Sequence, residues 1–389
     1  MSQTLAIRSG RPLIEDRFPG WPVWDQTEIR RVQDVIESGV WGVGGVCLAE
    51  FSKQFAEFQQ VNYVLPVANG TVAIEIALEA LDIGCGDEVI VPAYTFVATA
   101  VAPLRLGIKP VLVDVQPDTF NIDPAAIEAA ITGKARAIIP VHFGGNMCDM
   151  DRIMRLAERY GLVVIEDCAH AHGAHLYGQY AGTFGEIGTF SFQSSKTLCC
   201  GEGGAVVTHS ERLLARMSAI HSAGRHGCED DYNHFTLGSN YRLSEMQAAL
   251  LLGQMSRIEE FCDRRDRNGA MLSALLTEID GVRPQSRQPE LGRHGHYLFP
   301  FVLEADIPRD RFKRALQAEG VPVEDQYPAL HMVECLKKRG LAAGEFPVSQ
   351  ELDEHSVWIF HHALLADEAQ VALIAEAIKK VLDHRDELT

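Results

Sequence analysis

Positive charge is scarce in this 389-residue sequence: 35 lysines and arginines stand against 53 aspartates and glutamates, a formal net charge of −18. So acidic a chain has little field to gather nucleic-acid phosphates or acidic lipids, which argues against both as partners. A small anion is a different case, because a few local N–H groups suffice for it. Long apolar runs are missing too. No stretch approaches the roughly 20 apolar residues that span a bilayer, and the opening MSQTLAIRSGRPLIEDRFPG lacks the apolar core of a secretory signal. There is no C-x-x-C pair. The nine cysteines (47, 85, 148, 168, 199, 200, 228, 262 and 335) are scattered and odd in number, so reduced thiols in a cytoplasmic setting are expected, not a disulfide framework. Internal repeats and low-complexity linkers are also absent.

What is present is an ordinary globular balance, 47% hydrophobic and 23% charged, in a chain longer than a single core usually serves. From residue 60 to 208, short apolar runs alternate with helical stretches. Strands are expected at Tyr63–Val67, Glu88–Val91, Pro110–Val113, Ala137–Val141, Leu162–Glu166, Thr189–Phe192 and Ala205–Thr208. Their near-continuous Val/Ile/Leu content suits strands buried on both faces. Helices are expected over Val72–Leu81 and Asp149–Tyr160. The fold class is therefore α/β, with a mainly parallel seven-stranded sheet. A helical pattern then runs unbroken from Ser244 to about Leu275, followed by a strand at Tyr297–Leu303 and helices near Arg309–Ala318 and Asp367–Asp383. The expected division is a large domain over 1–255, including the N-terminal segment, and a smaller α+β domain over 256–389.

Four segments carry chemistry. Phe190-Ser191-Phe192-Gln193-Ser194-Ser195-Lys196 ends a strand in hydroxyl residues and a lysine, and Gly201-Glu202-Gly203-Gly204 turns the chain into the next strand. A lysine at a strand end beside an apolar interior becomes a nucleophilic amine when its charged form is destabilised. Alone, such a lysine reads first as a solvated loop residue, and only the company of the other segments changes that. Val163–Ile165 runs into Glu166-Asp167, placing Asp167 at the carboxyl edge of the sheet, where ligands bind in open α/β folds. A buried carboxylate there needs a partner, and a protonated pyridine nitrogen is one. The same stretch holds Cys168, His170, His172 and His175, which with Asp167 leaves a metal cluster open as an alternative. Gly70 and Thr71 lie between a strand and a helix, an anion site if hydroxyls such as that of Ser191 join it. Tyr94 follows a strand and is placed either to stack on a flat ring or to fill the core.

As an ordered set these segments resemble the DegT/DnrJ/EryC1/StrS sugar aminotransferases. The resemblance spans nearly the whole chain, from Phe18-Pro19-Gly20-Trp21-Pro22 through Asn69-Gly70-Thr71, Tyr94-Thr95-Phe96, the Asp167 and Lys196 segments, and Ser239-Asn240-Tyr241-Arg242. It implies the aspartate-aminotransferase-like, type I fold and pyridoxal 5'-phosphate carried as a Schiff base on Lys196. By position, Asp167 would pair with the pyridine nitrogen, and Gly70, Thr71 and Ser191 would hold the phosphate. Tyr94 would lie against the ring, and Asn240 would reach the phosphate of the neighbouring subunit in a homodimer. Glu202 falls in the family's Gly-Glu-Gly-Gly turn. His170 departs from the glutamine most relatives carry at this cofactor contact. The wording Glu166–Gly173, with the late Trp358–Ala366, is similar to the scyllo-inosose aminotransferases and 3-amino-5-hydroxybenzoate synthases.

The resemblance thus implies a ping-pong transfer from L-glutamine or L-glutamate to a keto-cyclitol or keto-sugar. Nucleotide keto-sugars and a dehydrating, aromatising synthase stay open as alternatives, and the metal-dependent reading of Asp167–His175 stands outside the family. A non-catalytic sensor is disfavoured by the intact Lys196, Asp167 and Ser191. Substrate choice is expected to involve His226, Tyr327, His331 and His361.

Overall fold

The structure, a computed structural model, describes residues 4–8, 10–225 and 233–388. Its centre is a seven-stranded sheet of β1 (Tyr63–Val67), β2 (Glu88–Pro92), β3 (Lys109–Val113), β4 (Ala135–Ile138), β5 (Val163–Asp167), β6 (Ile187–Ser191) and β7 (Gly204–Thr208). The strands lie in the order β1-β7-β6-β5-β4-β2-β3. β2 to β6 run parallel, while β7 is antiparallel to both of its neighbours. All seven expected strands are present, each with ends shifted by three residues or fewer.

The apolar runs work because successive side chains feed different cores. In β2, Ile90 faces one core while Val89 and Val91 face another; in β5, Val164 and Ile165 divide in the same way. On the first face pack α1 (Gln26–Ser38), α2 (Cys47–Gln59), α5 (Pro124–Ala130), α6 (Met150–Tyr160) and α8 (Glu245–Met255); on the other lie α3 (Gly70–Ala80), α4 (Ala98–Arg105) and α7 (Glu211–His221).

Two expectations are corrected. The pattern beginning at Ser244 is not one helix: α8 ends at Met255, and α9 begins at Ile258 and runs to Thr277. At the break, Gln254 and Arg257 turn back to Val23 O and Glu28, and the Ser256 hydroxyl bonds Gly253 O. Only the Ser256 bond is local and competes with the helix ladder; the bonds of Gln254 and Arg257 tie the break to the segment that leads into α1 and to its first turn. The N-terminal segment, expected with the large domain, belongs to the second core. Leu5 and Ile14 are buried among Phe299, Phe301, Phe312 and Ile374 of the C-terminal part. Glu319, fully buried, fixes them by accepting from Ala6 N–H (2.8 Å) and Leu13 N–H (3.0 Å) while pairing with Lys380 (2.9 Å). This second core is built on a four-stranded antiparallel sheet of Val282–Pro284, Leu298–Leu303, Ser356–Phe360 and Val323–Glu324.

Candidate active site

The carboxyl ends of β5 and β6 and the start of α3 open onto one cleft of 780 Å³, whose lining includes Gly70, Thr71, Asp167, His170, Ser191 and Lys196. Each arrives there for a local reason. Asn69 caps α3 by accepting from Val72 N–H at 3.0 Å, which starts the eleven-residue helix at Gly70 and leaves its first N–H groups free for an anion. A methyl group on Gly70 would stand 2.9 Å from Ser191 Cβ, so only glycine lets α3 approach β6 this closely. After β6, Phe192 N–H donates to Gly203 O (2.8 Å) and Ser194 N–H to Gly201 O (2.8 Å), closing a loop. Lys196 sits inside that loop.

Asp167 is 6% exposed, accepting from Thr99 Oγ1 at 2.9 Å and from Ala169 N–H at 3.2 Å. Burial raises its carboxyl above the ordinary value, against the pull of these two bonds and of Lys196. A carboxylate so placed is stabilised by a cationic partner in the cleft. His170 accepts from Gly144 N–H on Nδ1 (3.3 Å), and its ring lies 4.2 Å from that of Tyr297. Burial, then the charge of Lys196, hold it well below the usual imidazole range, so it is neutral at pH 7. Lys196 Nζ stands 4.0 Å from the centroid of the Tyr297 ring.

Tyr94 is not brought to the cleft. The chain bends after Pro92, and Tyr94 is fully buried against Phe143 (5.0 Å) and Trp358 (6.3 Å), with its hydroxyl on Ser356 Oγ at 2.8 Å. Phe96, two residues on and half exposed, lines the cleft in its place, beside Tyr327 at 5.8 Å. Asn240 is exposed and also lies outside the lining; its Oδ1 accepts from Arg242 N–H at 3.4 Å. Of the residues expected to shape substrate choice, Tyr327 lines the cleft, His331 lies beside Phe346, and His361 is buried behind the lysine loop. His226 lies outside the described residues. Thr99 and Tyr297 were not expected at the site. Neither carries a spacing signal: Thr99 reads as a helix residue, and Tyr297 as the start of an apolar strand.

The Asp167–His175 stretch does not gather into a metal site. Its members disperse, with Asp167 and His170 in the cleft, His172 behind it against Phe190 and Thr197, and His175 against Tyr180. Among the described residues the one grouping with ligand geometry is His142, Glu166 and Cys168. There Glu166 already accepts from Gly182, Phe184 and Gly185 N–H groups and contacts His142 Nε2 at 3.0 Å, while His142 Nδ1 accepts from Cys148 N–H. The lone pairs are committed to holding the 182–185 turn under β5.

A lysine, a buried carboxylate and an anion cradle on one sheet edge are what a phosphorylated pyridine aldehyde needs. The sequence profile of the DegT/DnrJ/EryC1/StrS aminotransferase family matches residues 22–379. The chain belongs to this family. It is 38% identical to an L-glutamine:2-deoxy-scyllo-inosose aminotransferase of Streptomyces kanamyceticus, over 99% of this chain and 98% of that one. To the 3-amino-5-hydroxybenzoate synthase of Amycolatopsis mediterranei it is 36% identical, over 93% and 96%. The crystal structure of a 3-amino-5-hydroxybenzoic acid synthase superposes with a TM-score of 0.90 at 34% identity, covering 95% of this chain and 99% of that one.

The protein is thus an aminotransferase of the type I, aspartate-aminotransferase-like fold, and pyridoxal phosphate is its cofactor. The residues present fit that group. Asp167 offers a buried carboxylate with no ion pair to any described residue, and the cleft lined by Gly70, Thr71 and Ser191 leaves room for a phosphate at the start of α3. No helix among the described residues is long and apolar enough to cross a membrane.

Proposed function

We propose that this aminotransferase moves the amino group of L-glutamine, or of L-glutamate, to a keto-cyclitol of the scyllo-inosose type. The observation that carries this reading is the charge balance of the cleft. Its lining holds two cations besides neutral His170: Lys196, which the cofactor engages, and Arg105, which is paired with Glu75 at 2.8 Å. Glu202, Tyr297 and Tyr327 remain for the acceptor. In that lining no further arginine or lysine is left to pair with the diphosphate of a nucleotide sugar, the charge-assisted contact that such a group favours. A ring of neutral hydroxyl groups finds acceptors in the Glu202 carboxylate and the tyrosine oxygens. The relatives named for scyllo-inosose substrates agree with this reading.

When bound, the cofactor supplies an electron sink for charge developing on the substrate carbon. Lys196 holds it and, once released, carries the proton as a positioned base and then acid. Asp167, oriented by Thr99, keeps the ring nitrogen protonated. Thr71, Ser191 and the α3 N-terminus bind the phosphate. His170 and Phe96 are the rings available to flank the cofactor, the place first expected for Tyr94. The two half-reactions share this one site, giving ping-pong kinetics.

The reading includes a homodimer in the cytosol, with Asn240 reaching the partner's phosphate site. An apolar groove of 590 Å³ lined by Trp24, Ile29, Ile36 and Leu250 runs behind Gly201, on the back of the lysine loop. Trp24, Val43, Val46 and Leu237 are each more than half exposed on the single chain, apolar surface that a second copy would cover.

Incubation of the holoenzyme with L-glutamine and 2-deoxy-scyllo-inosose, with mass analysis of the product, tests this. The expected product is an amine that keeps every ring hydroxyl. Turnover of a nucleotide keto-sugar in preference to the cyclitol would replace this reading, and loss of water from a carbocyclic product would point to the aromatising alternative.

A further inference from the structure

Three hydrogen bonds from outside the sheet domain converge on the two residues that precede Lys196. Trp21 Nε1 donates to Ser194 O at 3.0 Å, His361 Nε2 contacts Ser195 O at 2.9 Å, and the Tyr297 hydroxyl contacts Ser195 Oγ at 2.9 Å. The Ser195 hydroxyl hydrogen is committed to Gln193 Oε1 at 2.7 Å, so in the last contact Tyr297 donates and Ser195 accepts. That bond pins the Tyr297 hydroxyl to the lysine loop, while packing against His170 sets how the ring is turned. The ring so fixed carries Lys196 Nζ 4.0 Å from its centroid and packs on His170 at 4.2 Å.

We infer that Tyr297 is a positioning residue that seats the Lys196 amine whenever that amine is not bonded to the cofactor. The inference rests on the aminotransferase reading, in which Lys196 is free for half of each cycle. A lysine has a flexible four-carbon stem and loses reach when it wanders, yet it has to move a proton at one carbon. An aromatic face suits the task. It attracts the ammonium by its quadrupole, weakly enough for release, where a carboxylate would hold it as an ion pair. The hydroxyl adds the register: because it binds Ser195, adjacent in sequence to Lys196, seat and lysine move together. Tyr297 belongs to the segment entering the strand Leu298–Leu303 of the second sheet, so the seat exists only while the two cores are docked.

The test begins with the wild-type protein stripped of cofactor and needs no substrate, so its failure is separable from failure of the proposed acceptor. Its lysines are reductively methylated with ¹³C-formaldehyde, and the Lys196 resonance is assigned as the one absent from Lys196→Ala. Ring-current shielding is expected to move that resonance upfield of those of exposed lysines such as Lys337 and Lys338. The displacement is expected to persist in Tyr297→Phe and vanish in Tyr297→Leu. In the loaded enzyme, kcat is expected to fall about fivefold in Tyr297→Leu, with KM for glutamine nearly unchanged. A wild-type Lys196 resonance coincident with those of the exposed lysines overturns the proposal, whatever the variants do. So does a displacement that survives in Tyr297→Leu.

Discussion

The Thr99 hydroxyl donates to Asp167 Oδ2 at 2.9 Å across the floor of the cleft, joining the first turn of α4 to the end of β5. Burial works against the ionised carboxyl here, and this bond works for it. Thr99→Val is therefore expected to lower kcat by roughly tenfold, the scale of one hydrogen bond to a charged group. Asp167→Asn removes the charge itself and is expected to cost at least about a hundredfold. Steady-state assays of both loaded variants check the ranking; equal losses would mean that Thr99 does more than support Asp167.

Gly70 is held to glycine by contact. The added methyl of Gly70→Ala meets Ser191 Cβ at 2.9 Å, so α3 has to withdraw from β6. Cofactor affinity, followed by fluorescence, is expected to fall by about tenfold or more, and Ser191→Ala is expected to weaken it by a similar or smaller factor. Unchanged affinity in both would place the phosphate elsewhere.

Glu166 is predicted to matter for stability and not through a metal. Glu166→Gln loses charge-assisted bonds to three backbone N–H groups and is expected to lower unfolding free energy by about 3 kcal/mol. Dialysis against a chelator should leave the melting temperature and the activity of the wild-type protein unchanged. A metal-dependent loss of either would revive His142, Glu166 and Cys168 as a metal centre.

Buried neutral histidines set the acid limit. Burial lowers His170 and His361 well below the ordinary value, His172 to about 3, and His221 and His296 to about 4. Below about pH 6.5 the unfolded chain binds protons that the folded chain refuses, so this stability is present above pH 6.5 and is lost as pH falls toward 4. Asp167, Glu79 and Glu324, raised by burial, act in the opposite sense but are fewer than the lowered histidines. Denaturant titrations are expected to show a loss of more than about 2 kcal/mol between pH 6.5 and 5, since one such histidine contributes about 1.4 kcal/mol per pH unit. A flat profile would mean that these histidines are solvated in solution.

Much of this was legible in the sequence because the parallel sheet writes itself as apolar runs, and the ends of those runs are the site. Strand ends place Asp167 and Ser191 at the sheet edge and a strand-to-helix turn places Gly70 there, while Lys196 stands out from a loop lysine only in the company of the other segments. Tyr94 did not, because a bend after Pro92 has no periodicity and exchanges a core position for a cleft position within two residues. The break at Ser256–Arg257 was hidden because the bonds that make it come from Val23 and Glu28, far away in sequence. Leu5 and Ile14 carry no sequence signal for the second core for the same reason: only contacts distant along the chain decide which lobe a terminal segment joins. Tyr297 sits at a position that pattern alone gives to a strand.

The central claim is that Lys196 and its cofactor pass an amino group from glutamine to a keto-cyclitol. The most direct measurement is the visible absorption of the purified holoenzyme during sequential titration. L-glutamine is predicted to bleach the chromophore and 2-deoxy-scyllo-inosose to restore it, with Lys196→Ala unable to complete the cycle. A chromophore indifferent to glutamine and glutamate, or a Lys196→Ala variant that cycles at the wild-type rate, would contradict the account.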